Sequence, residues 1–134
     1  MSKRILALAL GVLILIGGLL AGCGTKPVPS GQEDDEKVIG VSLFYRRDEY
    51  YKDLDSAFLK EAKAAGVKVI IQDADSDPAK QTQQIEDFVQ QKVDAIALAA
   101  TDPAGMVPAI EAAVAAGIPV VTYDGDANTD KTST

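Results

Sequence analysis

From Lys37 onward, short apolar runs alternate with longer segments in which apolar residues recur every three or four positions. Val38-Ile39-Gly40-Val41-Ser42-Leu43 is apolar and rich in β-branched residues, the pattern of a buried strand. Leu54, Ala57, Phe58, Ala62 and Ala65 follow at helical spacing, with Lys60, Glu61 and Lys63 mostly toward water and Gly66 as a stop. Residues 67–71 give a second strand. Asp77-Pro78 opens a second helix, the carboxylate capping free N–H groups and proline filling the first turn. Ile85, Phe88 and Val89 form its buried stripe. Residues 93–99 give a third strand, and Thr101-Asp102-Pro103 repeats the cap-then-proline arrangement. Val107, Ile110, Ala113 and Val114 mark a third helix, which Gly117 ends. Pro108 falls within its first two turns, so this helix starts irregularly or later than Pro103 suggests. Residues 119–123 give the fourth strand.

Apolar strands joined by helical crossovers belong to a parallel sheet covered on both faces. With right-handed crossovers, the expected fold class is α/β, a doubly wound parallel sheet of four strands and three helices. The repetition is architectural; no sequence repeat accompanies it.

The region before this pattern is different. A basic start (Lys3, Arg4) leads into an apolar run over residues 5–20, short for a bilayer span of about 20 residues and suited to a secretory signal. Leu20-Ala21-Gly22-Cys23 then resembles the lipobox of a bacterial lipoprotein. That resemblance implies cleavage before Cys23, a diacylglycerol on its thiol and attachment to the lipid bilayer through the acylated cysteine. Residues 25–37 contain Pro27, Pro29, Ser30, Gly31 and the acidic run 33–36, a solvated tether. The expected organisation is therefore a signal peptide over 1–22, a lipidated N-terminus and linker over 23–37, and a folded lobe over 38–134.

Composition narrows the function. The net charge is −7 at pH 7, and loss of Lys3 and Arg4 with the signal makes the chain still more acidic, which disfavours nucleic-acid binding. Cys23 is the one cysteine, so lipidation leaves no thiol for a disulfide. There is no histidine, which removes the commonest general base, the commonest zinc ligand and every Ser-His-Asp arrangement. The chain is not expected to be an enzyme, and it carries no cofactor signature: no glycine-rich loop follows the first strand. Asp73-Ala74-Asp75-Ser76-Asp77 begins like a calcium loop, but Pro78 replaces the turn glycine and no glutamate closes it, so no metal is expected. Asp73 and Asp75 read as turn residues and Asp77 as a helix cap.

Open parallel sheets bind ligands beyond the carboxyl ends of their strands, near the point where strand order reverses. Here those ends carry Phe44-Tyr45-Arg46-Arg47-Asp48-Glu49-Tyr50-Tyr51, then Asp73, Asp75 and Asp77, then Thr101 and Asp102, then Asp124-Gly125-Asp126. Aromatic faces cover the C–H patches of a sugar ring, and charged planar groups fork onto adjacent hydroxyls. The candidate ligand-binding residues are Arg46, Arg47, Tyr50, Tyr51, Asp102 and Asp124. Alternatives stay open for several. Tyr50 or Tyr51 could pack on the core, Arg46 and Arg47 could be solvated loop charges, and Asp102 is equally a cap.

In its strand pattern, its lipobox-like segment and several short stretches, the chain resembles the periplasmic sugar-binding proteins of ABC transporters, the ribose/galactose-type (type I) group. The resemblance rests on Asp77-Pro78-Ala79-Lys80-Gln81, Gln84-Ile85-Glu86-Asp87-Phe88, Val93-Asp94-Ala95-Ile96, Thr101-Asp102-Pro103-Ala104-Gly105 and Ala116-Gly117-Ile118-Pro119-Val120-Val121-Thr122-Tyr123-Asp124. It implies a receptor in the cell envelope that binds a monosaccharide or small polyol and hands it to a membrane permease. It adds Asp48 to the ligand set, where ribose-type members often have asparagine, and equates Tyr50 and Tyr51 with their stacking pair and Asp124 with their strand-four aspartate. Many members follow that aspartate with arginine. Here the position is Gly125, and Arg46 or Arg47 would have to supply the charge. The resemblance also implies a second lobe beyond this chain. The alternative function on the same fold is sensing, presentation of a signal molecule to a membrane kinase or chemoreceptor. A lactose-repressor-like regulator is excluded by the export signal and the lack of a basic helix-turn-helix.

Overall fold

The computed structural model describes residues 36–133; the expected signal peptide, Cys23 and most of the tether lie outside the described residues. The order is β1 (Val38–Leu43), α1 (Glu49–Ala65), β2 (Lys68–Asp73), α2 (Pro78–Gln91), β3 (Ala95–Leu98), α3 (Val107–Ala115) and β4 (Val120–Thr122). All pairings are parallel, in the order β2-β1-β3-β4. β1 therefore sits beside both β2 and β3, and the order reverses between β1 and β3. Four strands and three helices match the periodicity of the sequence; β1 has the expected ends, and those of the other strands are shifted by one or two residues.

Alternation along the strands divides the core in two. Ile39, Val41 and Leu43 pack with Tyr51, Leu54 and Phe58 of α1 and with Tyr123. Ile96, Leu98 and Val120 pack on the other face with Ile85 and Phe88 of α2 and Ile110 and Ala113 of α3. Gly40 belongs to this second face, and a Cβ there would lie 2.6 Å from Phe88 Cγ. Only glycine lets the ring lie flat on β1.

Caps follow the sequence closely at two helices. Asp77 accepts from the N–H groups of Ala79 and Lys80, and Pro78 fills the first turn of α2. Gly66 closes α1 in the left-handed region at φ +68. The third helix departs from the cap-then-proline expectation. Asp102 accepts from the N–H groups of Ala104 and Gly105, so it caps a separate turn, and α3 begins only at Val107. Pro108 explains this: it has no N–H, and its ring clashes with the carbonyl four residues back in a continuous helix. Regular helix can start only where Pro108 falls in the first turn. Gly105 completes the turn, because a Cβ there would meet Asp102 Oδ2 at 2.6 Å. Beyond β4, the N–H of Ser133 bonds to Val120 O and its carbonyl accepts from Thr122 N–H along the strand's outer edge.

Candidate functional site

A cleft of about 320 Å³ opens at the carboxyl ends of β1, β3 and β4, lined by Phe44, Tyr45, Asp48, Tyr50, Tyr51, Ala99, Ala100, Asp124 and Gly125. It lies where the strand order reverses. The loops after β1 and β3 leave the sheet there in opposite directions, and a gap between them is unavoidable. Its size is at the lower end of small-molecule sites.

One wall is aromatic. Tyr45 and Tyr51 are 4.8 Å apart between ring centres, Tyr50 and Tyr51 5.1 Å, and Phe44 and Tyr45 5.2 Å. Tyr51 is buried and Tyr50 is 52% exposed, so one ring anchors the wall and the other forms its outer lip. Both occupy the first turn of α1, which Asp48 caps. Asp48 accepts from Tyr51 N–H at 3.1 Å through Oδ1 and from the Tyr45 hydroxyl at 2.6 Å through Oδ2. These bonds hold its carboxyl below the usual carboxylate range, the Tyr45 bond contributing most, and push the Tyr45 phenol up.

The other carboxylate comes from the end of β4. Asp124 has φ +57, a left-handed conformation that aspartate tolerates better than most residues and that turns its side chain back over the sheet. Its Oδ2 accepts from the Tyr51 hydroxyl at 2.5 Å and its Oδ1 from Tyr50 at 3.3 Å. Burial, and then the Asp124 bond, push the Tyr51 phenol well above its ordinary value; burial and the Asp124 charge do the same to Tyr50. At neutral pH all these phenols are donors, and each carboxylate keeps lone pairs for hydroxyls of a bound molecule.

The structure thus gathers Asp48, Tyr50, Tyr51 and Asp124 around one rim. It places the other three candidates elsewhere. Arg46 lies against Asp55 of α1, Nη2 donating to Oδ1 at 3.2 Å and Nε within 3.2 Å of Oδ2. Arg47 reaches the turn after β2, where its guanidinium pairs with the Asp75 carboxylate and Nη2 donates to the Asp75 carbonyl at 3.3 Å. Asp102 caps its turn. None of the three lines the cleft. The carboxylates of residues 73–77 are engaged as turn, ion-pair and cap groups, and no cluster able to hold a metal ion occurs among the described residues.

Two features escaped the sequence pattern. Tyr45 is part of the aromatic wall, legible only once Asp48 is recognised as a cap that brings residue 45 back over the helix start. The second is a buried polar network behind the cleft. Ser42 Oγ donates to Gln84 Oε1 at 2.8 Å, Gln81 Nε2 donates to Ser42 Oγ at 3.0 Å, and Gln84 Nε2 donates to the Asp73 carbonyl at 2.9 Å. Helical periodicity puts Gln81 and Gln84 on the apolar face of α2, and two buried amides there are a signal in themselves.

Residues 39–134 match the family described as periplasmic binding protein domain. The ribose import binding protein RbsB of Bacillus subtilis (strain 168) is 40% identical over 129 residues, covering 92% of this chain and 42% of that protein. Among solved structures, an ABC transporter solute-binding protein from Mycobacterium smegmatis with bound glycerol is 32% identical at a TM-score of 0.67, over 70% of this chain and 33% of that one. The fructose-binding periplasmic domain of a hybrid two-component system is 32% identical at a TM-score of 0.68, over 72% of this chain and 32% of that one. The chain therefore spans less than half the length of these relatives. By sequence and by fold, this chain belongs to the periplasmic binding protein family.

Proposed function

We propose that the chain is the first lobe of an extracytoplasmic receptor that binds a monosaccharide or small polyol for import through an ABC transporter. The observation that carries this reading is the joining of an aromatic wall to two phenol-held carboxylates, Asp48 and Asp124, in one cleft. Rings cover C–H faces, and the remaining lone pairs accept from hydroxyls. Such a site binds and orients; with no nucleophile–base pair among its lining residues, its role in this reading is capture, not turnover. The same reading makes residues 1–22 a signal peptide and Cys23 the lipid attachment point, with the linker to residue 37 holding the lobe clear of the membrane. A permease and a second lobe are the partners it calls for.

Sensing is the second reading, favoured by the similarity to a fructose-binding domain of a two-component system. The neighbouring genes discriminate: finding permease and ATPase genes there would support import, and finding a histidine kinase gene would support sensing.

The test is thermal melting of the purified protein in D-ribose, D-glucose, myo-inositol and glycerol, beside the Asp124→Ala variant. Binding raises the melting temperature of the native protein and not of the variant. A rise equal in both is the general effect of excluded cosolvents. Equal rises, or none with any polyol, count against the proposal.

A further inference from the structure

Gln81 is fully buried, three residues into α2, and touches none of the cleft-lining side chains through its own amide. Its Nε2 donates to the Ala99 carbonyl at 2.9 Å as well as to Ser42 Oγ, and its Oε1 accepts from Thr101 N–H at 2.7 Å. One side chain therefore holds the backbone on both sides of Ala100. β3 ends at Leu98, so the Ala99 carbonyl and the Thr101 N–H lie just beyond its pairing with β4, which stops at Leu98 opposite Thr122. Buried backbone groups need partners, and a helix amide from the layer below supplies them. Ala99 and Ala100 line the cleft, and the Ala100 carbonyl lies 3.8 Å from where a Gly125 side chain would start. Through Ser42 and Gln84 the same bonds reach β1 and the carbonyl of Asp73 at the end of β2.

We propose that Gln81 is a positioning residue for the cleft. It fixes the Ala99–Thr101 floor at a set distance from the aromatic wall and from Asp124, and so sets affinity without meeting the ligand. An apolar residue of the same volume would fill the core equally well, so packing alone gives no reason for an amide here.

The variant is Gln81→Met, similar in volume but unable to bridge 99 and 101. Gln81→Asn, one methylene shorter, serves if Met fails to fold. Ile110→Val, in the core of α3 away from the cleft, is the control for lost stability. Two readouts are taken below the melting transition: amide hydrogen exchange at Thr101, and affinity for the polyol that gives the largest thermal shift with the native protein. The expected result is faster exchange at Thr101 and about tenfold weaker binding in the Gln81 variants, with both unchanged in Ile110→Val. Native-like exchange and affinity in a folded Gln81 variant overturn the proposal, as does an equal loss of affinity in the control. The affinity readout rests on the polyol reading, whereas exchange does not. If no polyol binds the native protein, that reading fails, and unchanged Thr101 exchange still decides against Gln81.

Discussion

The Tyr51 hydroxyl donates to Asp124 Oδ2 at 2.5 Å, across 73 residues of sequence. Together with the longer Tyr50–Asp124 bond and the Phe58–Tyr123 ring contact, this bond ties α1 directly to the end of β4. It makes the aromatic wall and the carboxylate one unit, so a change at either end is expected to disturb both.

Tyr51→Phe keeps the ring and removes the donor. A hydrogen bond to a charged acceptor contributes about 1.5–3 kcal/mol, so a loss toward the lower end of that range is expected in urea unfolding. Polyol affinity falls as well, because Asp124 then has Tyr50 alone to aim it. Unchanged stability in Tyr51→Phe would mean that the bond does not form in solution.

Gly40→Ala presses a methyl against the Phe88 ring, 2.6 Å from Cγ. Overpacking of this kind costs about 1–3 kcal/mol. The double variant Gly40→Ala, Phe88→Leu recovers part of that loss, measured as non-additivity of unfolding free energies.

Arg47→Gln is expected to leave polyol affinity within about twofold of native, since the guanidinium is engaged with Asp75 and does not line the cleft. Asp124→Asn is expected to weaken binding clearly. The reverse ranking, by titration calorimetry, would restore the arginine to the site.

All four tyrosines have phenols pushed above their ordinary value, Tyr45 chiefly by its bond to Asp48 and Tyr50, Tyr51 and Tyr123 chiefly by burial. A raised folded value means that the folded state holds the proton more tightly. The associated stability is complete below the unfolded value of about 10 and is lost as pH rises through and beyond it. Tyrosinate absorbance should therefore appear late and together with unfolding. Asp48, Asp75 and Asp94 show the opposite case, their carboxyls lowered mainly by bonds from Tyr45, Arg47 and Lys37. Their contribution is present above the unfolded value of about 4 and is lost as pH falls below it. A tyrosine titrating near pH 10 in the folded protein would contradict the first half.

Much of this arrangement is legible in the sequence because period and caps are local signals. Val38–Leu43, the Asp77-Pro78 start and the Gly66 stop need no knowledge of the rest of the chain. The rim at Asp48, Tyr50, Tyr51 and Asp124 follows from topology, since carboxyl ends of neighbouring parallel strands share one edge. The arginines did not follow, because their choice of Asp55 and Asp75 depends on side-chain reach between separate loops. The start of α3 was ambiguous for a local reason: Pro103 and Pro108 each satisfy a helix N-terminus, and only one can. Helical spacing puts Gln81 on the face of Ile85 and Phe88, but the groups its amide meets, at Ser42, Ala99 and Thr101, come from β1 and from the segment after β3 and carry no local signal.

In the proposed receptor, the cleft between the carboxyl ends of β1, β3 and β4 holds the ligand. A titration followed by ¹H–¹⁵N chemical shifts, with the polyol that raises the melting temperature most, tests it directly. Shifts are expected to concentrate at residues 44–51, 99–100 and 124–125 and to be absent in Asp124→Ala. Shifts centred on the opposite ends of the strands, around Lys92, Asp94 and Gly117, would contradict it.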